Sequence, residues 1–382
     1  MKKIALITEN SREYGRELLK GIAMFAQEQR DWTLHLLPPS YLKNRTALKG
    51  FDGVIARIVD GGMRRKLKMS GLPFVDAFCQ NPTPDPIGVD CDHGAIAATA
   101  AAFFLARGFR NFAYCGFLGT TFSDLRCDAF TRCLKSAGFA CEVFTHPEPP
   151  SDSIFFAEKA AVPEDPVPLM NWLCSLRPRT AVFCANDLRA YQLLRLAAER
   201  GIRIPQDLVI LGVDNDTLLC SFASPPLSSI DPNAKGVGYA AARLLHAAME
   251  DPAARKKRPV FHVKPGELIE RASTESHPVE PAWLSDALVY IDRNMSRAVA
   301  VEDVIALSGL SHTSVERTFR KVFGESAGKY ILRTKMNEAR RLLAKGGLSG
   351  KQIAARTGFA SPQYFCRTYH AFFGHSPFSG PP

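Results

Sequence analysis

Residues 353–377 read "IAARTGFASPQYFCRTYHAFFGHSP", and a looser copy of the same pattern lies upstream in the chain. Residues 301–324, "VEDVIALSGLSHTSVERTFRKVFG", and 350–374, "GKQIAARTGFASPQYFCRTYHAFFG", share one order: helix, Gly plus an apolar residue, Ser, helix. Gly309 and Gly358 permit the tight turn. Leu310 and Phe359 are expected to plug it into the core, and Ser311 and Ser361 to cap the next helix through their hydroxyls. Pro362 falls at the first helical position, where its missing N–H costs nothing. Each unit reads as a helix-turn-helix, whose second helix can enter a major groove of DNA.

Helical spacing puts Val315, Phe319 and Phe323 on the core face of one such helix, and Phe365, Tyr369 and Phe372 on that of the other. The opposite faces carry Thr313, Glu316, Arg317 and Arg320, and Gln363, Tyr364 and Arg367. Arginine forks onto guanine O6/N7 and glutamine onto adenine. Arg317 and Arg367 are therefore base-contact candidates, with phosphate as the competing target, and Arg320 is a phosphate candidate. Charge agrees. Residues 284–382 hold 14 Lys/Arg against 7 Asp/Glu, whereas residues 1–283 hold 34 against 31, so the excess sits in the tail.

From Lys2 to Ile269 short β-rich runs alternate with amphipathic helical stretches. The runs "KIALITE", "TLHLLP", "GVIARI", "PFVDAF", "NFAYCGF", "AVFCAN" and "DLVILGVD" are near-continuously apolar, which predicts parallel sheets covered on both faces. The length suits two such sheets side by side, with a cleft at their carboxyl ends. The fold class is thus α/β followed by all-α: a sensor over 1–270, a Pro/Ser/Thr-containing linker over 271–283, and a helical domain over 284–382 with units at 301–324 and 349–374.

Several classes fall away. No apolar run approaches the roughly 20 residues of a spanning helix, and the apolar start Ile4–Ile7 is too short for a signal peptide. The 10 cysteines are scattered and several lie in apolar runs, which predicts reduced thiols in a cytoplasmic protein. Neither a G-x-S-x-G elbow nor a phosphate loop occurs, and "GVGYAA" at 236–241 follows "PNAK" rather than a strand, so its glycines read as helix packing. No metal, cofactor or catalytic residue is expected.

Polar residues cluster instead at strand ends. Asn186 and Asp187 follow "AVFCA", Asp214 to Asp216 follow "LVILGV", Asn10 to Arg16 follow the first strand, and Arg126 is read as opening a helix after "NFAYCGF". Each residue alone reads as a turn or cap. Together, a mixture of Arg, Asn and Asp suits adjacent hydroxyls that both donate and accept. A non-sugar metabolite is the alternative ligand, and a sugar-processing enzyme with a DNA-binding tail a third reading.

These motifs resemble known families. "IAARTGFASPQYFCRTYHAFFGHSP" is similar to the AraC/XylS-type DNA-binding domain, which packs two helix-turn-helix units around a linking helix, here Ala327 to Lys345. His370, where a basic residue is usual, and the end "SPFSGPP" depart from the pattern. The stretch from "VPLMNWLCSLRPRTAVFCAND" to "SPPLSSID" resembles the effector domain of LacI/GalR-type repressors, and the join of the two resembles the xylose-operon regulator family. The resemblance implies a DNA-binding regulator sensing a monosaccharide, xylose by family default, as a cytoplasmic homodimer on double-stranded operator DNA with RNA polymerase as a further partner. By motif it implies effector contacts at Arg126, Asn186 and Asp214, with Tyr14, Arg16, Asp76 and Asp90 as weaker candidates. Residues 144–168 match no pattern.

Overall fold

The computed structural model describes residues 1–43, 47–79, 87–145, 165–251, 260–275 and 281–378. Most of the unmatched stretch 144–168, the middle of the expected linker, and residues 379–382 lie outside them. The chain divides into two compact units, Met1–Glu275 and Ser276–Pro382.

The first unit holds two six-stranded sheets. One is built from β1 (Lys2–Ile7), β2 (Trp32–Leu37), β3 (Gly53–Ala56), β4 (Phe74–Asp76), β5 (Ile87–Cys91) and β11 (Val260–Val263), in the order β11-β5-β4-β3-β1-β2. The other takes β6 (Asn111–Cys115), β7 (Glu142–Val143), β8 (Thr180–Cys184), β9 (Leu208–Val213), β10 (Ser228–Ile230) and β12 (Leu268–Ile269), in the order β12-β10-β9-β8-β6-β7. Every pairing is parallel except that of β10 with β12. The strands β3, β5, β8 and β9 are buried end to end, as Val54, Val89, Val182 and Ile210 show, because helices cover both faces.

Helices of this unit are α1 (Glu13–Gln29), α2 (Gly61–Met69), α3 (His93–Ala106), α4 (Thr121–Ser136), α5 (Val167–Ser175), α6 (Asp187–Glu199), α7 (Thr217–Phe222) and α8 (Ala234–Glu250). Three segments cross between the lobes: Cys91 to His93, Ile230 to Ala234, and Val263 to Leu268. They lie side by side. Asp92 N–H donates to the Val263 carbonyl at 2.8 Å, Asp231 N–H to Glu267 at 3.0 Å, and Gly266 N–H to Asp231 at 2.9 Å.

The chain does not leave this unit at Arg271, where the composition changes. Ser273 and Thr274 are fully buried, and Ser273 Oγ donates to the Ile210 carbonyl at 2.6 Å. Residues 271–274 therefore complete the second lobe, and their small polar side chains mark a hydrogen-bonded edge rather than a linker.

The second unit holds α9 (Ala282–Arg293), α10 (Val301–Ser308), α11 (His312–Phe323), α12 (Ala327–Lys345), α13 (Gly350–Arg356) and α14 (Pro362–Phe373). α12 belongs to two cores. Its Ala327 and Ile331 pack with Val304, Val315 and Phe319, while its Met336 and Ala339 pack with Ile353, Phe365 and Tyr369. One rigid element of 19 residues, about 28 Å long, thus sets the spacing of the two helix pairs. Leu310 departs from expectation: it is 39% exposed, and only Phe359 packs into its core.

The two turn glycines are not equivalent. Both have left-handed backbone, φ 64° at Gly309 and 65° at Gly358. A Cβ at Gly309 meets open space, whereas one at Gly358 falls 2.0 Å from the Arg297 carbonyl oxygen. Gly309→Ala should cost about 1–2 kcal/mol for the left-handed conformation alone. Gly358→Ala should cost clearly more, read as a lower urea midpoint for the helical unit; equal costs would contradict the close approach.

Candidate functional site

The ends of β1, β3, β5 and β9 bring Tyr14, Arg57, Asp90, Cys91 and Asp214 within electrostatic reach of one another, and Arg126, Arg12 and Arg57 face Asp214. Asp214 sits on backbone with φ 112° and is followed by Asn215 at φ 46°, conformations that L residues rarely adopt. Burial raises its pKa to about 6 against the pull of the three arginines. Among the described residues its carboxylate accepts no hydrogen bond. Two other cleft groups lack partners there: the buried Tyr14 hydroxyl and the Arg57 Nε–H.

Arg126 is only 3% exposed and lies in the second turn of α4, which begins at Thr121, so it does not open the helix as expected. Its Nε–H donates to His93 Nδ1 at 3.3 Å, its Nη2 to Cys91 Sγ at 3.7 Å, and its Nη1 to the Ala185 carbonyl. These contacts join the second lobe to the first at the crossing strand and leave two of the five guanidinium N–H groups for a ligand. Arginine only donates, so His93 Nδ1 is the acceptor and its proton sits on Nε2, directed at Asp90 Oδ2 at 3.3 Å. Burial lowers the His93 pKa, which agrees with a neutral ring.

Asp90, Cys91 and His93 present donor atoms within 4.8 Å of one another, a cluster the primary sequence conceals because each residue looks like part of a strand end. The Arg126 N–H groups already take His93 Nδ1 and Cys91 Sγ, placing a fixed cation where a metal would sit. The cluster holds an arginine.

The remaining sequence candidates fall around the cleft with other duties. Asn186 Oδ1 caps α6, accepting from Arg189 N–H at 3.0 Å. Asp76 Oδ1 accepts from the N–H groups of Ile58, Phe78 and Cys79, and its Oδ2 from Arg64. Arg16 donates to Asn10 and Ser11 carbonyls and pairs with Glu13 at 3.0 Å on the rim. Sequence reading missed Arg57, hidden in the strand run "GVIARI". It pairs with Glu9 at 2.9 Å in a buried ion pair and stacks over Phe78 at 4.2 Å and Tyr14 at 5.0 Å. A lone cation ending an otherwise apolar strand was the available signal.

In the helical unit Thr313, Arg317, Arg320, Gln363, Tyr364 and Arg367 are exposed, opposite the buried Val315, Phe319, Phe365 and Tyr369. Ser311 Oγ accepts from Ser314 N–H at 3.3 Å and Ser361 Oγ from Tyr364 N–H at 3.1 Å, so both helices start where expected. The Arg367 guanidinium lies 5.6 Å from the Tyr364 ring. Glu316 is only 18% exposed and lies 3.8 Å from Arg320, four residues on along the same helix, so it is less open than its neighbours.

Residues 101–274 match the periplasmic binding protein-like domain, and residues 306–378 a helix-turn-helix domain. The xylose operon regulatory protein of Escherichia coli (strain K12) is 25% identical over 98% of this chain and 95% of its own length. An HTH-type transcriptional activator of Providencia stuartii is 33% identical over 94 residues, 25% of this chain and 70% of its own. The solved structure of a xylose-binding transcription activator superposes with TM-score 0.62 at 24% identity, covering 98% of this chain and 96% of that one.

With two α/β lobes around a cleft and a tail of two helix-turn-helix units, the chain is a DNA-binding transcription regulator. Its order of domains, a periplasmic binding protein-like domain followed by a helix-turn-helix domain, is similar over nearly the whole chain to that of the xylose operon regulatory protein.

Proposed function

We propose that a monosaccharide of the xylose type binds in the interlobe cleft of the first unit and thereby alters operator binding by the helical unit. The observation that carries this reading is the pair of buried polar groups without partners there, the Tyr14 hydroxyl and the Arg57 Nε–H, beside the Asp214 carboxylate that Arg126, Arg12 and Arg57 face. Vicinal hydroxyls supply both donors and acceptors, so one small polyol satisfies all three at once. Arg126 contributes its charge and its remaining N–H groups from the second lobe, and Asp90 lies behind it. The names of the relatives, which speak of xylose, favour a pentose. On this reading the protein is cytoplasmic, acts as a homodimer, contacts RNA polymerase when it activates, and turns over no substrate.

Titration of the purified full chain with D-xylose tests the reading. Binding should raise the melting temperature with ligand concentration, by mass action, and leave the sugar chemically unchanged. Heat-free titrations with D-xylose and other aldopentoses, together with an unmoved melting temperature, would remove it.

The helical unit makes a second testable statement. If α12 holds α11 and α14 for two successive major grooves, about 34 Å apart on one DNA face, the two arginines read different bases. Arg317→Ala and Arg367→Ala should each relax base preference, at positions one helical turn apart. Arg320→Ala should weaken binding to all sequences alike and flatten its salt dependence. Footprints in which both variants alter the same base pairs contradict the two-groove arrangement.

A further inference from the structure

The loop that carries Asp214 is wired to the segment by which the chain leaves the first unit. Asn215 is held by two bonds: its backbone N–H donates to Ser229 Oγ at 2.9 Å, and its side-chain Oδ1 accepts from Arg271 Nη2 at 2.8 Å. Ser229 Oγ in turn donates to Asp187 Oδ1 at 2.6 Å, and Asp187 Oδ2 accepts from Asp216 N–H at 2.8 Å. Both residues after Asp214 are thus pinned to one buried network. Arg271 carries that network onward. Its Nη1 donates to the Leu227 carbonyl at 2.8 Å and its N–H to Ser228 Oγ at 2.7 Å, and the same Oγ lies 2.7 Å from Thr274 Oγ1. Ser228, Ser229, Ser273 and Thr274 are all fully buried, and the unit ends at Glu275.

We propose that Arg271 is the positioning residue that couples occupancy of the cleft to DNA binding: its fork between Asn215 and Leu227 ties the Asp214–Asp216 loop to the exit segment Arg271–Glu275. This rests on the proposed effector site at Asp214. A ligand held by Asp214 favours one arrangement of the loop, and it shifts the exit segment only as far as it binds that arrangement more tightly. A lysine at 271 keeps the charge and loses the fork, because a single ammonium on a flexible stem does not hold the planar bidentate geometry.

The test is DNA affinity of the full chain, on a site selected from a random pool, with and without saturating D-xylose. In Arg271→Lys and in Asn215→Gly, which permits the positive φ but lacks the acceptor, D-xylose affinity measured by calorimetry should stay within about 3-fold of wild type. Sugar-free DNA affinity should also hold. The ratio of DNA affinities with and without sugar, typically about 5- to 150-fold in coupled systems, should collapse to within about 2-fold of unity. Asn215→Asp, which keeps the acceptor, should retain it. If both loss variants keep the wild-type ratio, the coupling role of Arg271 is wrong while the effector site stands. If wild type itself shows no sugar-dependent ratio, the proposed function fails first and takes this inference with it.

Discussion

Alanine at position 238 should destabilise the first unit by about 2–3 kcal/mol, although helix propensity alone predicts a gain of about 1 kcal/mol for Gly→Ala inside a helix. Gly238 lies on the buried face of α8, where an added Cβ would fall 2.0 Å from the Leu18 carbonyl oxygen of α1. The contact is reciprocal, since a Cβ at Gly21 of α1 would fall 1.9 Å from the Lys235 carbonyl oxygen. Two helices that meet backbone to backbone cannot admit a methyl group by rotating a side chain; one of them must move. α8 also follows the second crossing between the lobes, so its displacement would reach the hinge. Urea unfolding of the full chain, followed by far-ultraviolet circular dichroism, should show the loss in the first-unit transition. A stabilised Gly238→Ala protein would mean that the helices do not pack as described, and would reopen "GVGYAA" as something other than a packing motif.

The second large effect lies at Asp214, and it has two signs. Asp214→Asn should weaken D-xylose binding by roughly 1.5–3 kcal/mol, the range for hydrogen bonds to a charged group, or on the order of 10- to 150-fold. The same change should stabilise the ligand-free protein at pH 7. Burial raises the Asp214 pKa from 3.8 to about 6. A carboxyl whose pKa is higher folded than unfolded holds its proton more tightly in the folded state, so ionising it opposes folding. That penalty grows from about pH 4 to about pH 6 and is complete above. Asparagine, with the same shape and no charge, removes it, for a gain on the order of 1–3 kcal/mol at pH 7. The stability difference between variant and wild type should vanish near pH 4. Calorimetry with D-xylose and urea midpoints at the two pH values check both signs together; unaltered affinity would place the site elsewhere.

What could be read in the sequence follows from how local each signal is. The helix-turn-helix units were legible to the residue because their caps are local: Ser311 and Ser361 bond N–H groups three residues on, and α12 spans Ala327–Lys345 as the pattern predicts. Seven strands were legible as apolar runs. β10 was not, because Ser228 and Ser229 are polar residues buried to 0%, and the partners that satisfy them, Arg271 and Asp187, come from distant segments. β5 was hidden similarly by Gly88 and Asp90. At the cleft, residue types announced polar strand ends, yet only the fold distinguishes an unpartnered Asp214 from an Asp76 saturated by backbone N–H groups. Likewise Arg271 read as linker because hydropathy carries no record of a hydrogen bond across the chain.

On the proposed function, a sugar in the cleft and DNA on the helical unit are linked through one chain. The most direct measurement is fluorescence anisotropy of the full chain on a selected DNA site, with D-xylose absent and saturating, for wild type and Asp214→Asn side by side. At a D-xylose concentration that just saturates wild type, wild type should give two separate isotherms, and the separation should shrink markedly for Asp214→Asn. Coincident isotherms for wild type, in protein that binds the DNA, would contradict that link.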